Sequence, residues 1–333
     1  MTAVETPVAE DPVSQEAIPV KLKVVVRRPL GDRIYRVVAK TAGGMTLLVM
    51  GLVFFFLLKE SAQIFNVESF STFMTTQTWF PDQGKAGVGS VLYGTVVISL
   101  IAIVMCFPFA VATALFITDY APKPVQRVLT LFVDLLAAVP SIIFGIWGLF
   151  YLMPREMKLS RWLNDHFGWI PIFKVGNGQY ALSQFIAGTV LAIMCTPIAT
   201  SVMREVFSQA PPGEKEGALA LGGTKWGMVK TVVLPFGRGG IVGAMMLALG
   251  RALGETIAVT FLISTIFYRN SHILEQGGNT IAALIALQWS EASSNGISAL
   301  MAAGLVLFVL TLLVNVLASI ITSRSRSGAL TEI

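Results

Sequence analysis

Residues 212–227 read Pro212-Gly213-Glu214-Lys215-Glu216-Gly217-Ala218-Leu219-Ala220-Leu221-Gly222-Gly223-Thr224-Lys225-Trp226-Gly227, and Leu234-Pro235 follows shortly after. Two long apolar runs enclose this polar insert, 182–206 before it and 238–266 after it. Pro212 suits a first helical turn, where its missing N–H would go unbonded anyway. Glu214 and Glu216 set negative charge against the positive start of that helix. Gly222-Gly223 permits a sharp reversal, and Thr224 can cap a second short helix. The spacing predicts a helix–turn–helix held outside an apolar layer, with Leu219, Leu221 and Trp226 left to fill a partner's groove.

Working outward, the enclosing runs are two of six, at about 41–60, 89–118, 126–152, 182–206, 238–266 and 297–322. About 20 residues of helix cross a bilayer's hydrocarbon core. The second and fifth runs exceed that and are expected to tilt or protrude. Lipid-facing backbone must bond to itself, and no alternating ten-residue pattern supports a barrel, so the expected fold is all-α and polytopic with six transmembrane helices. Composition agrees. Of 333 residues, 54% are apolar and 13% charged, with a mean hydropathy of +0.73. Soluble domains carry about 25% charged residues. Disorder, collagen, coiled coil and an ordinary cytosolic enzyme are excluded.

Six spans place both termini on one side. Sixteen lysines and arginines fall on the side of the termini and seven opposite, which makes that side cytoplasmic. The net charge of +5 therefore reports orientation rather than nucleic-acid binding. Residues 1–20 hold Glu5, Glu10, Asp11 and Glu16 without a basic start, so they read as a disordered cytoplasmic tail rather than a signal peptide. Residues 21–40 form a basic collar (Lys21, Lys23, Arg27, Arg28, Arg33, Arg36, Lys40) suited to anionic lipid. A transmembrane domain spans 41–322, its polar inner loop covers about 207–236, and 323–333 form a second cytoplasmic tail. The outer loops are 61–88, 153–181 and 267–296. The middle one carries four basic residues with Trp162, Phe167, Trp169 and Phe173, as an interfacial segment would. Cys106 and Cys195 lie inside apolar runs and read as buried hydrophobes. His166 and His272 are too few for a metal site.

Within the fifth run stands Gly250-Arg251-Ala252-Leu253-Gly254-Glu255-Thr256. Arg251 and Glu255 are four apart, one face of a continuous helix. A charge at mid-membrane costs about 2.5–3.5 kcal/mol and should meet a cavity or a counter-charge. Two compatible readings stand: a self-neutralising pair that packs helices, or a cation offered to a passing anion and tempered by Glu255. In the third run, Pro140 interrupts Asp134-Leu135-Leu136-Ala137-Ala138-Val139-Pro140-Ser141. Ser141 can line a pathway beside that kink, and Asp134 is a possible partner for Arg251. Packing with a satisfied aspartate is the competing reading. Cys195-Thr196-Pro197 reads as packing.

The insert resembles the Glu-Ala-Ala loop of ABC importer permeases through Glu216, Gly217, Ala218, Gly222, Leu234 and Pro235, with Gly217 departing from the usual alanine. Together with Ala138-Val139-Pro140-Ser141-Ile142-Ile143-Phe144-Gly145 and the Gly250–Thr256 run, the chain from about 35 to 322 resembles the phosphate-specific permeases of bacterial importers. The resemblance implies a MetI-like permease fold in the bacterial cytoplasmic membrane. It implies transport roles for Arg251 and Glu255, and ATPase docking through Glu216, Gly217, Ala218 and Gly222; Thr256 beside that pair and Asp134 and Ser141 of the third run are the further pathway candidates, and Trp226 the further docking one. It further implies a second, PstA-type permease, two PstB-type ATPases and an external PstS-type phosphate-binding protein. No phosphate-binding GxxxxGK[ST] loop occurs, so ATP and Mg are expected on the ATPase partner, with no cofactor and no enzyme chemistry on this chain. Other readings are a permease for sulfate or molybdate, or an ion-coupled secondary transporter.

Overall fold

The computed structural model describes residues 30–66 and 69–325. The acidic tail 1–20, the basic residues Lys21, Lys23, Arg27 and Arg28, and the end of the C-terminal tail lie outside the described residues. Helix α1, Leu30–Phe65, begins well before the expected first span and takes Arg33, Arg36 and Lys40 into its first turns. Residues 30–51 form a unit of their own, every side chain of which is exposed. The remainder of the chain is the second unit.

In that second unit the chain runs from the last turns of α1 through α2 (Phe70–Thr75) and a small hairpin, β1 (Trp79–Phe80) against β2 (Lys85–Ala86). Helix α3, Gly89–Leu115, winds on through a π-turn at Phe116–Tyr120, matching the second expected span. It buries Ile98, Ala102, Cys106 and Ala110, while Leu100, Val104 and Phe107 face outward. Residues four apart share a helix face, so small side chains form one buried stripe and large apolar ones the opposite surface. That outer apolar surface would be an error in water and is what a bilayer requires. Helix α7, Gln184–Ser208, packs along the α3 stripe through Ile186, Val190, Leu191 and Met194. Gly188 admits the close approach, because a Cβ there would strike Ile101. Cys106 and Cys195 are buried and free, as the apolar context predicts.

The third expected span is not one rod. Helix α4 (Lys123–Ala137) stops before Pro140, and α5 (Ser141–Trp147), a π-turn at Gly148–Leu152 and α6 (Met153–Phe167) leave it at 90°. Proline lacks an N–H and disfavours α-geometry in the residue before it, so the chain breaks rather than kinks. Five helices are long and apolar enough to cross a membrane, or six if this bent pair is one span. Residues 153–167, expected within an outer loop, are thus helical, and Trp162, Phe167 and Trp169 are exposed, as an interfacial segment needs.

After α7 come α8 (Pro212–Ala220), α9 (Lys225–Met228), a π-turn at Val229–Val233 and α10 (Leu234–Leu253). The expected fifth span, 238–266, is then interrupted: α11, Ile257–Leu262, begins only after a break at Gly254–Thr256. Outer loop 267–296 also holds a helix, α12 (Ile281–Gln288), with Ile281 and Leu284 fully buried. Eight residues cannot span a bilayer, yet Thr280 caps this helix and the Ile281 N–H donates to Thr95 Oγ1 on α3 at 3.0 Å. The final helix α13, Ser294–Ser325, matches the sixth expected span.

Candidate functional site

The polar insert folds as its spacing predicts. Pro212 occupies the first turn of α8 with Glu214 beside it. The helix ends in a paired carbonyl capture: the Gly222 N–H donates to Leu219 O at 3.0 Å and the Gly223 N–H to Ala218 O at 3.2 Å. This Schellman closure needs its first donor residue in the left-handed region, and Gly222 has φ +84°. Gly223 is required for a different reason, since a Cβ there would strike the Ala218 carbonyl. Thr224 then accepts the Gly227 N–H at 3.0 Å and starts α9. No residue of α8 is buried. Glu216 is exposed, Leu221 is 91% exposed and Trp226 58%, while Ala218 packs partly against the core. A polar hairpin that holds large apolar side chains in the open is shaped to be covered by another chain.

Lys215 is the charged side chain of α8 that turns back to the bundle. Its Nζ lies 2.8 Å from Asp119 Oδ1 in the π-turn after α3, with the aspartate side chain only 5% exposed. The end of the second span and the hairpin therefore share one end of the bundle. The pair was not legible in sequence, because Lys215 reads there as one charge among Glu214 and Glu216, and Asp119 as a span-end residue.

The membrane charges are arranged otherwise than helical spacing suggests. Arg251 and Glu255 do not share a helix face, because α10 ends at Leu253. Glu255 is buried and its Oε1 accepts the Ala258 N–H at 3.3 Å, satisfying an amide of the first turn of α11. Thr256 is half-buried and donates to Gly254 O at 3.2 Å. Arg251 is exposed. Among the described residues the two salt bridges are Arg204–Asp134 and Lys215–Asp119, and Arg251 has a place in neither. It lines a cleft of about 440 Å³ with Ile198, Met246, Leu247, Gly250 and Asn315. Asn315, on α13, is the second polar side chain of that cleft. It stood unmarked in sequence because one amide in a long apolar helix carries no periodic signal.

Asp134 meets Arg204 of α7 rather than Arg251, at 3.6 Å. Ser201 Oγ donates to the same carboxylate oxygen at 3.3 Å, and Arg204 Nη1 donates to Thr130 Oγ1 at 2.8 Å. The cluster ties α4 to α7, so the residue expected to counter Arg251 serves packing in this conformation. Ser141 opens α5, half-buried beside the break at Pro140.

Residues 107–327 match the family described as "Binding-protein-dependent transport system inner membrane component". The chain is 42% identical over 303 residues to "Phosphate transport system permease protein PstC 2" of Mycobacterium tuberculosis, covering 90% of this chain and 94% of that protein. It is 38% identical over 325 residues to "Phosphate transport system permease protein PstC" of Mesorhizobium japonicum, covering 95% and 99%. Among solved structures, a bacterial ABC transporter involved in the import of the acidic polysaccharide alginate superposes with a TM-score of 0.56 at 18% identity, over 90% of this chain and all of that one. The inward-facing methionine ABC transporter MetNI superposes with a TM-score of 0.52 at 15% identity, over 72% and 95%. At such identities the superpositions speak for the fold alone.

Proposed function

The chain belongs to the PstC family of binding-protein-dependent transport permeases, and from that premise we propose how its parts work. It is the permease subunit of an ATP-driven importer of inorganic phosphate, a multi-pass membrane protein whose ATPase is a separate subunit. In our reading its partners are a PstA-type permease, two PstB-type ATPases and an external PstS-type phosphate-binding protein. The setting is the bacterial cytoplasmic membrane, with both termini and the α8–α9 hairpin on the inner side. ATP and Mg stay with the ATPases.

The observation that carries this reading is the hairpin: a locally closed element that exposes Glu216, Leu219, Leu221 and Trp226 to a partner. ATPase closure moves it, and the movement switches the bundle between outward and inward access. Arg251 supplies the cation of the pathway. It stands at the end of α10, beside a helix break of the kind tolerated at membrane depth only where it is buried or lines a cavity. Asn315 adds an amide donor to the same cleft. Glu255 holds the break in shape through its bond to Ala258, and that break aims Arg251. Among the described residues no carboxylate pairs with the guanidinium, so an oxyanion meets a free fork of donors.

The test is the purified four-part complex in proteoliposomes. ATP hydrolysis stimulated by phosphate-loaded binding protein, with accumulation of phosphate, is expected. Stimulation by sulfate or molybdate instead would reassign the substrate. Transport by this chain alone, driven by an ion gradient, would remove the ABC reading altogether.

A further inference from the structure

A hairpin that buries none of α8 needs a stiff joint if movement is to pass into the membrane helices. α9 runs through its π-turn directly into α10, but α8 is joined to the rest of the chain only by turns, Gln209–Pro211 before it and Leu221–Thr224 after it. Two cations of the hairpin instead reach two consecutive residues of the π-turn after α3. Lys215 Nζ lies 2.8 Å from Asp119 Oδ1, and Lys225 Nζ stands 5.9 Å from the centre of the Tyr120 ring. Thr118 Oγ1 donates to the other Asp119 oxygen at 2.7 Å, and Lys215 Nζ also reaches the Phe207 carbonyl of α7 at 3.4 Å. The Lys215 side chain is 19% exposed and that of Asp119 5%, so little water screens the pair. From Asp119, α3 runs back without a break through its π-turn to Gly89, packed on α7 and on α10, the helix of Arg251.

We propose that Asp119 and Lys215 are positioning residues of the transport cycle, the joint through which force on the hairpin enters α3. This rests on the coupling role proposed above for the hairpin. Glu216 and Trp226 face the ATPase on that reading. Lys215, next to Glu216, turns instead to Asp119, so docking and transmission fall to separate side chains.

The assembled transporter in proteoliposomes is compared as wild type, Asp119→Asn, Lys215→Met and the exchanged double variant Asp119→Lys with Lys215→Asp. Two quantities are read: oxyanion moved per ATP hydrolysed, and ATPase subunit retained per permease. Each single variant is expected to lose about ten-fold in transport per ATP, within the usual range of coupling between sites, while retaining its ATPase. The exchanged pair should regain most of the loss. An unchanged ratio in both single variants overturns the joint. So does a loss of ATPase that matches the loss of transport, because the pair then only shapes the docking surface. If neither single variant inserts, Lys215→Arg and the exchanged pair decide: a wild-type ratio in both upholds the joint, and a low ratio with full assembly overturns it. The ratio is read with whichever oxyanion drives hydrolysis, so failure of phosphate as substrate is separated from failure of the joint.

Discussion

Two interruptions of helix lie within 45 residues of each other and were built by different forces. Between α8 and α9 the break is chemical and local: a glycine at φ +84°, a second glycine under a carbonyl, and a threonine cap. Between α10 and α11 the break at Gly254–Thr256 has one glycine and no proline, and it is held by the buried carboxylate of Glu255 on the Ala258 amide. The first could be written down from the order of residues. The second passes in sequence for a continuous helix with an i, i+4 ion pair. Local turns obey side-chain rules within a few residues, whereas an unwound segment at membrane depth persists only because neighbouring helices bury and satisfy it.

The contrast can be broken most sharply at Arg251. Arg251→Gln removes the cation of the cleft and leaves Glu255 in place. A charged hydrogen bond contributes about 1.5–3 kcal/mol, so uptake at limiting phosphate should fall about ten- to a hundred-fold with assembly intact. Wild-type uptake would return Arg251 to a packing role. At the hairpin, Glu216→Lys reverses an exposed charge on the docking side. Rim charges act mainly on association, and about ten-fold less ATPase should co-purify, while Arg251→Gln leaves co-purification unchanged. Equal loss in both variants would mean that the two regions are not separate in function.

A smaller effect tests the claim that the hairpin break is local. Gly222→Val forces a β-branched residue into the left-handed region, costing about 2 kcal/mol, whereas Gly222→Asn tolerates it. Uptake and thermal stability should suffer in the first and survive in the second, and equal behaviour would show that the Schellman closure is dispensable. The smallest effect is a gain. Gly217 stands in open space within α8, so Gly217→Ala meets nothing and should stabilise the hairpin by about 1 kcal/mol. A loss of ATPase retention there would mean that the ATPase approaches too closely for a methyl group.

Long apolar runs were sufficient to place α3, α7 and α13 almost to the residue, because only helices satisfy their backbone in lipid. Pro140 announced trouble in the third span but not its size, since whether a proline kinks or breaks a helix depends on what receives the following segment. Helix α12 was hidden, being too short for a span and too apolar for a loop tip. Asp134 was legible as a charge needing a partner. That the partner is Arg204 required the packing of α4 on α7, a contact 70 residues apart in sequence.

The order of residues is therefore enough for the membrane class, the spans whose hydrophobic length admits one solution, and the hairpin whose caps and glycines are read within a single turn. The tertiary structure alone decided where the charges go. It sent Lys215 to Asp119 and Asp134 to Arg204, and left Arg251 facing a cleft with Asn315. Charge pairing in a bundle is settled by which helices touch and at what height, and pairwise distance across a fold has no period along the chain.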